Sequence, residues 1–218
     1  MQKKQLDEAD KPRRNIAISL PVTGEEEWHA MRDPIMSGWV TQGPKVSEFE
    51  KAFAKRHQVD HALAVTSCTT GLHLALAGLG VEEGDEVIIP VFTWVATANV
   101  VLYCGATPVF VDVDPNTHNI DISKVAETVT DKTKAIIIVH LFGLCVDMDA
   151  LRKELPSHVK IIEDAACASG ADWKGQPAGS LGDVAAFSFH PRKSITTGEG
   201  GMVTTCLLYT SPSPRDRG

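Results

Sequence analysis

The chain lacks the patterns of a disulfide framework, a metal site, a secretory signal and a membrane span. Its five cysteines are widely scattered without a C-x-x-C pair. We therefore predict no disulfide framework and no metal. No apolar run approaches the ~20 residues that cross a bilayer. The first residues are charged, unlike a secretory signal, so we expect a cytoplasmic protein.

An excess of basic charge is also missing. The 21 Lys and Arg residues are outnumbered by 28 Asp and Glu residues, which gives a formal net charge of −7. This balance argues against a nucleic-acid binder, which normally presents a basic face. The 43% hydrophobic and 22% charged content is typical of a globular protein. A length of 218 residues suits one sizeable α/β domain or two small ones.

Seven short runs rich in β-branched residues predict strands, and several are almost continuously apolar, as in strands covered on both faces. The runs are residues 61–66, 86–90, 107–113, 134–141, 159–164, 184–189 and 200–205. Segments with helical spacing lie between them, around Val46 to Phe53, Leu72 to Leu79 and 147–155. This alternation predicts an α/β fold with a three-layer, mostly parallel sheet and helices on both faces.

The two ends depart from this pattern. We predict a mobile arm over residues 1–15 and one large domain over residues 16–205, whose last strand, 200–205, is an edge or return strand. Residues 206–218 are expected to be a non-native tail, because they contain two prolines and two serines and show no periodicity. We therefore expect the native chain to continue beyond residue 205.

The carboxyl ends of parallel strands are where ligands bind in open α/β sheets. Four groups of polar or reactive residues follow predicted strands: residues 67–70, Trp94, Asp164, and residues 188–193 with Lys193. We expect all four groups at the same end of the sheet. A run of three glycines within residues 198–201 follows Lys193, and it indicates either a surface turn or a tight loop held against a ligand.

Each group has a structural and a functional interpretation. Residues 67–70 can cap a helix or bind a phosphate at its N-terminus. Trp94 can pack in the core or stack on a planar ring. Asp164 can pair with a cation or with a protonated heteroaromatic nitrogen. Lys193 can be solvated, or it can be an amine that reacts with carbonyl compounds.

Taken together, a phosphate cradle, an aromatic plate, a carboxylate and an amine are the parts that hold pyridoxal 5′-phosphate (PLP). The glycine spacing does not match the motifs that bind nucleotides. The glycines do not form G-x-x-x-x-G-K-[ST], and no G-x-G-x-x-G opens a helix after the first strand.

From about Gly38 to Thr205 the chain resembles the DegT/DnrJ/EryC1/StrS aminotransferases, PLP-dependent sugar aminotransferases of the aspartate aminotransferase fold. The stretches that carry the resemblance include "VTSCTTGLHLAL", "GDEVIIPVFTWVATANVV", "IIEDAACASG" and "HPRKSITTGEGGM". They occur in the family's order and cover most of the chain.

The resemblance implies roles for individual residues. Lys193 matches the lysine that joins the cofactor, and Asp164 matches the aspartate on the pyridine nitrogen. Trp94 matches the stacking aromatic ring. The phosphate-binding hydroxyls match Ser188, Thr69 and Thr70. Two departures remain: Cys167 stands where many members have Gln or His near the ring hydroxyl, and Cys68 where many have Gly.

The resemblance also implies an activity. An amino group, expected to come from glutamate, would move to a keto-deoxysugar linked to a nucleotide, in the biosynthesis of an amino sugar for a surface polysaccharide or a secondary metabolite. The alternatives are a PLP-dependent dehydratase or lyase, which in one branch has His in place of this lysine, and a non-catalytic fragment. The resemblance further implies a homodimer and a smaller C-terminal domain, which we expect to be missing from this chain. We therefore expect the chain as written to be inactive or poorly soluble, which measured turnover would contradict.

Overall fold

The structure is a computed structural model that describes residue 17 and residues 19–207. Within this range the strands are β1 (His61–Val65), β2 (Glu86–Pro90), β3 (Thr107–Val111), β4 (Thr133–Val139), β5 (Lys160–Asp164), β6 (Asp172–Trp173), β7 (Gln176–Pro177), β8 (Val184–Ser188) and β9 (Gly201–Thr205). The α-helices are α1 (Glu25–Ser37), α2 (Pro44–His57), α3 (Cys68–Gly78), α4 (Ala96–Tyr103) and α5 (Met148–Glu154). All seven predicted strands and the three predicted helices are confirmed.

Seven strands form one sheet in the order β1-β9-β8-β5-β4-β2-β3, and β6 pairs with β7 in a separate hairpin. The pairs β2 with β3, β2 with β4, β4 with β5 and β5 with β8 are parallel. β9 runs antiparallel to both of its neighbours, β1 and β8. The sheet is mostly parallel, as predicted.

β9 corrects one sequence-based alternative. The sequence predicts that residues 200–205 form an edge strand or a return strand. The return strand is confirmed, because β9 runs antiparallel to its neighbours. The edge position is wrong, because β9 lies between β1 and β8 inside the sheet. An interior position fits the sequence of β9, whose Met202 and Thr204 are fully buried.

Helices cover both faces of the sheet and create two apolar cores. Along β4, Ile136 and Ile138 belong to the core that also contains Phe53 of α2 and Leu151 of α5. The alternate residues Ala135 and Ile137 belong to the core beneath α3 and α4. This alternation follows from the period of two in a strand, and it confirms the predicted three-layer α/β architecture.

Helix ends follow the local sequence. Pro44 begins α2, where its missing N–H is not needed, and basic residues occupy the last turn of that helix. Asp147 caps α5 by accepting the N–H of Ala150 at 3.0 Å. The β3–β4 connection contains two short 3-10 segments, Ile122–Lys124 and Ala126–Thr128.

The domain boundaries predicted at the chain ends are not tested. Residues 1–15 and 208–218 lie outside the described residues, so the arm and most of the tail stay predictions. Among the residues that the structure describes, no helix is long and apolar enough to cross a membrane.

Candidate active site at the carboxyl edge of the sheet

The topology brings the four predicted groups to one edge of the sheet. β2, β5 and β8 run in the same direction, and β1 runs with them because β9 reverses between β1 and β8. The segments that follow these strands, including residues 67–70, Trp94 and Lys193, therefore leave the sheet at the edge where Asp164 lies. The strand directions therefore place the four groups at the same edge of the sheet, as expected.

Asp164 is a buried acid at this edge, with 5% of its surface exposed. Its Oδ2 accepts the hydroxyl of Thr97 at 3.0 Å, and its Oδ1 accepts the N–H of Ala166 at 3.2 Å. Burial raises the pKa of Asp164, although these donors and the charge of Lys193 act in the opposite direction. In the described residues no lysine or arginine forms an ion pair with this carboxylate.

Lys193 lies in the loop between β8 and β9, where its N–H donates to the carbonyl of His190 at 2.9 Å. Its side chain is half-buried and returns to the end of β5. There the Nζ donates to Sγ of Cys167 at 3.0 Å. Cys167 follows Asp164 by three residues, so the end of β5 supplies the buried acid and the loop after it supplies the contact to the amine.

The glycines after Lys193 have specific places. Gly198 adopts a φ of +85°, which favours glycine. A Cβ atom on Gly201 would lie 2.6 Å from the carbonyl carbon of Ser67 and 2.7 Å from the N of Cys68. β9 thus touches the backbone turn between β1 and α3, which glycine alone permits. Gly201 is therefore close-packed at the start of β9, whereas a Cβ atom on exposed Gly198 would meet no atom within 4 Å.

The N-terminus of α3 is capped by Ser67, whose Oγ accepts the N–H of Thr70 at 3.1 Å. The hydroxyls of Ser67 and Thr70 are 3.0 Å apart. Capping, one of the two interpretations, is therefore present, and Ser67 supplies it. The helix N-terminus still offers backbone N–H groups and a positive dipole end, which suit a phosphate, so Thr69 and Thr70 as ligands stay a prediction.

Ser188 is the last residue of β8 and pairs with Gly201. It is half-buried, and its Oγ accepts the N–H of His190 at 3.4 Å. Trp94 lies in the connection between β2 and α4 with 72% of its surface exposed. Among the described residues this tryptophan is not packed in a core, and the stacking of its indole ring stays a prediction.

Two neighbours of Asp164 were missed by the sequence reasoning as site residues. Thr97 is completely buried and also shares a 2.8 Å hydrogen bond with the hydroxyl of Thr93. Cys68 places its Sγ 3.8 Å from Oδ1 of Asp164 and 3.5 Å from the carbonyl of Ala186. Burial, followed by the charge of Asp164, raises the pKa of the Cys68 thiol well above its usual range. Nothing in the spacing of Thr97 signals its contact.

A second buried acid, Glu163, was also missed. Its Oε2 lies 2.9 Å from Nε2 of His140, and both side chains are completely buried. Nδ1 of His140 accepts the N–H of Val146 at 3.2 Å, so Nε2 carries the proton and donates to Glu163. The visible signal was an acid inside the apolar run "KIIED".

The structure therefore defines an α/β protein whose buried acid and amine converge at the carboxyl edge of a parallel sheet. The family model of the DegT/DnrJ/EryC1/StrS aminotransferase family matches residues 21–206. The chain belongs to this family.

Two curated proteins illustrate how similar the chain is to known sequences. GDP-perosamine synthase of Caulobacter vibrioides is 48% identical over 199 residues, which are 90% of this chain and 53% of the relative. The spore coat polysaccharide biosynthesis protein SpsC of Bacillus subtilis is 47% identical, over 87% of this chain and 49% of the relative.

A solved structure matches the fold. Spr1654 of Streptococcus pneumoniae in its PLP form superposes with a TM-score of 0.86 at 36% identity, covering 89% of this chain and 54% of the other. The chain thus spans about half the length of the relatives that it matches.

Proposed function

We propose that the protein is a PLP-dependent aminotransferase of amino-sugar biosynthesis. The observation that carries the proposal is that Lys193 and buried Asp164 lie at one edge of the sheet, where the Nζ of Lys193 is 3.0 Å from Sγ of Cys167, three residues after Asp164. Family membership and the PLP form of the structural relative support the cofactor.

The surroundings of Asp164 fit PLP, because its buried carboxylate can pair with the cationic ring of the cofactor. A buried carboxylate whose pKa is raised by burial is stabilised by a nearby cation, and a protonated pyridine nitrogen would supply that charge. Thr97 and Ala166 occupy lone pairs on both oxygens and hold the carboxylate in place. Asp164 would in turn keep the pyridine nitrogen protonated.

The remaining roles follow from position. The N-terminus of α3, with Thr69 and Thr70, and Ser188 would hold the phosphate, while Trp94 would cover one face of the ring. Cys167 would lie beside the ring at the same edge. When bound, PLP supplies an electron sink for the electrons released as the substrate loses its α-proton.

Lys193 would have two functions. Its Nζ would hold the cofactor covalently between turnovers. Its free amine would also be the base that takes up and returns the α-proton of the substrate. Lys193 is half-buried at the edge of the sheet where Asp164 lies.

The substrate class is proposed from the relatives. The names GDP-perosamine synthase and spore coat polysaccharide biosynthesis protein support a keto-deoxysugar linked to a nucleotide as the acceptor, and a surface polysaccharide as the destination. Glutamate as the amino donor and a cytoplasmic location stay predictions.

Dehydration is the second candidate activity. The dehydratase branch implied by the resemblance has His where this chain has Lys193. The lysine is present here and lies against Cys167, so transamination is the favoured reaction. Formation of an amino sugar that depends on glutamate would support it, and a deoxygenated ketosugar would support dehydration instead.

We also propose a homodimer for the whole protein. Several apolar side chains near the candidate site are exposed, among them Val91, Phe92 and Trp94. A surface of this kind is typical of a protein–protein interface. Sedimentation of the whole protein as a monomer would contradict the dimer.

Covalent trapping tests the cofactor. The whole protein is incubated with PLP, reduced with borohydride and mapped by peptide mass spectrometry. We expect the pyridoxyl group on Lys193. The matched controls are Lys193→Arg, which should lose the label, and Lys174→Arg, which removes an exposed lysine and should keep it. Absence of label on Lys193, or equal labelling of Lys174, would overturn the proposal.

A further inference from the structure

Cys167 and Lys193 form an unusual pair, because both side chains are nucleophiles and they are in contact. The Nζ–Sγ distance is 3.0 Å. The two residues are separated by 25 intervening positions and come from the loops after β5 and β8, so the fold creates the contact. Two nucleophiles cannot form a bond with each other unless two electrons are removed.

The other cysteines near and far from the site differ from Cys167. Cys68 is buried, donates to Asp164, and has its thiol pKa raised well above the usual range. Cys206 is exposed but follows β9, whose carboxyl end lies at the opposite edge of the sheet. Cys167 is exposed and touches an amine. It alone of these three combines access for a small oxidant with an amine in contact.

We propose that Cys167 and Lys193 form a reversible peroxide-sensitive modification site, in which the oxidised sulfur is captured by the lysine nitrogen. Its regulatory consequence rests on the proposed function, since a lysine bound to sulfur cannot hold PLP. Peroxide would thereby block the binding of PLP to Lys193 in the protein that does not yet hold the cofactor.

The chemistry has two balanced steps. Sγ of Cys167 attacks one oxygen of hydrogen peroxide, the O–O bond breaks, sulfur loses two electrons to the peroxide, and a sulfenic acid and water result. The unprotonated Nζ of Lys193 then attacks Sγ. The S–N bond forms, the S–O bond breaks, and hydroxide leaves with an amine proton as water. The product is a sulfenamide that lacks two hydrogens relative to the starting side chains.

A dithiol reverses the modification. Its thiolate attacks Sγ, the S–N bond breaks, and the amine leaves with a proton. The mixed disulfide on Cys167 is then reduced by the second thiol of the reagent, which becomes a disulfide. Capture by nitrogen would also protect the sulfenic acid from irreversible oxidation to the sulfinic acid.

The test is peptide mapping of the whole protein without PLP, before and after hydrogen peroxide. We expect a cross-linked peptide pair joining Cys167 to Lys193, whose mass is the sum of both peptides less two hydrogens, and its loss on treatment with dithiothreitol. Cys206→Ser should keep the cross-link. Cys167→Ser should lose it, and Lys193→Met should instead show a sulfenic acid at Cys167 that dimedone traps.

Two results would overturn the proposal. One is oxidation of Cys167 in the folded chain without a bond to Lys193. The other is the same yield of cross-link in urea, because the fold would then not supply the contact. Neither result depends on PLP, so the borohydride experiment can succeed or fail separately.

A linked measurement tests the consequence. Peroxide pretreatment should lower borohydride trapping of PLP on Lys193 by about tenfold, and dithiothreitol should restore it. In Cys167→Ser the ratio of treated to untreated trapping should stay near one, whatever the level of trapping in the untreated variant. A tenfold loss in that variant would mean that another group is the sensor.

Discussion

Glu163 and Asp164 are adjacent residues of β5, and both are buried, but their carboxylates have opposite surroundings. Glu163 accepts the N–H groups of Gly179, Leu181 and Gly182 at 2.7, 2.7 and 2.6 Å, besides the His140 ring at 2.9 Å. Asp164 receives one hydroxyl, one backbone N–H and a weak thiol donor.

The different surroundings indicate different roles: Glu163 stabilises the fold, and Asp164 belongs to the candidate site. Successive side chains of a strand point to opposite faces, so Glu163 anchors the loop before β8 from one face while Asp164 faces the candidate site. Four donors saturate the first carboxylate, whereas the second retains a pKa raised by burial. A group left short of positive charge is the one able to bind a cationic ligand.

The largest effect is expected from Glu163→Gln. The variant removes a buried negative charge and turns an amide NH2 toward backbone N–H donors, which should lower the free energy of unfolding by about 3–5 kcal/mol. Urea denaturation measures this change. Exposed Glu154→Gln is the control and should be nearly neutral. A loss below about 1 kcal/mol would refute the anchoring role.

Gly201→Ala tests the packing of β9 against the turn before α3, which belongs to the candidate site. The new Cβ would lie 2.6 Å from the Ser67 carbonyl carbon and 2.7 Å from the carbonyl O of Phe187. We expect the free energy of unfolding to fall by about 1–3 kcal/mol and PLP trapping on Lys193 to weaken, because the α3 N-terminus must shift.

Gly78→Ala is the matched control for this substitution. A Cβ on Gly78 meets no atom within 4 Å, and the residue ends a helix. This variant should be neutral or slightly stabilising in urea denaturation. If both glycine variants behave alike, the close approach of β9 to the α3 turn does not matter.

Asp164→Asn should stabilise the chain without PLP by about 1 kcal/mol at pH 7. Burial raises the folded pKa of Asp164 above its usual 3.8, so this carboxyl favours folding below pH 3.8 and loses that contribution as the pH rises through the folded pKa. The advantage of the variant should therefore shrink as the pH falls toward 4. An unchanged difference between pH 7 and pH 4, measured in urea, would contradict the assignment.

The smallest effect concerns His57, which supports the same loop as Glu163. Its Nδ1 lies 2.7 Å from the carbonyl of Ala178, and its ring stacks on Phe53 with centroids 4.2 Å apart. Burial lowers the pKa of His57 below its usual 6.5, so the neutral ring favours folding above pH 6.5 and that contribution is lost as the pH falls through the folded pKa.

We expect stability to fall by about 1 kcal/mol between pH 7 and pH 5, as followed by thermal unfolding. His57→Phe should lack this part of the pH dependence, although it also loses the hydrogen bond. Exposed His158→Asn should keep the pH dependence. Identical pH profiles of wild type and His57→Phe would show that another group titrates.

The sequence alone determined the α/β class, the seven strands and the edge at which Asp164 and Lys193 lie. Strand patterns and the carboxyl-end rule depend on neighbours along the chain, which the sequence displays directly. The glycine run was also recognised, but its reason was open until the contact between Gly201 and the α3 turn was seen.

Only the tertiary structure decided the contacts that cross the sheet. Thr97 reaches Asp164 from 67 positions away, and Lys193 reaches Cys167 from 26 positions away. The interior place of β9 and the partners of Glu163 likewise depend on which strands become neighbours. Such choices are made by packing between distant segments, whose spacing in sequence has no periodicity from which to predict them.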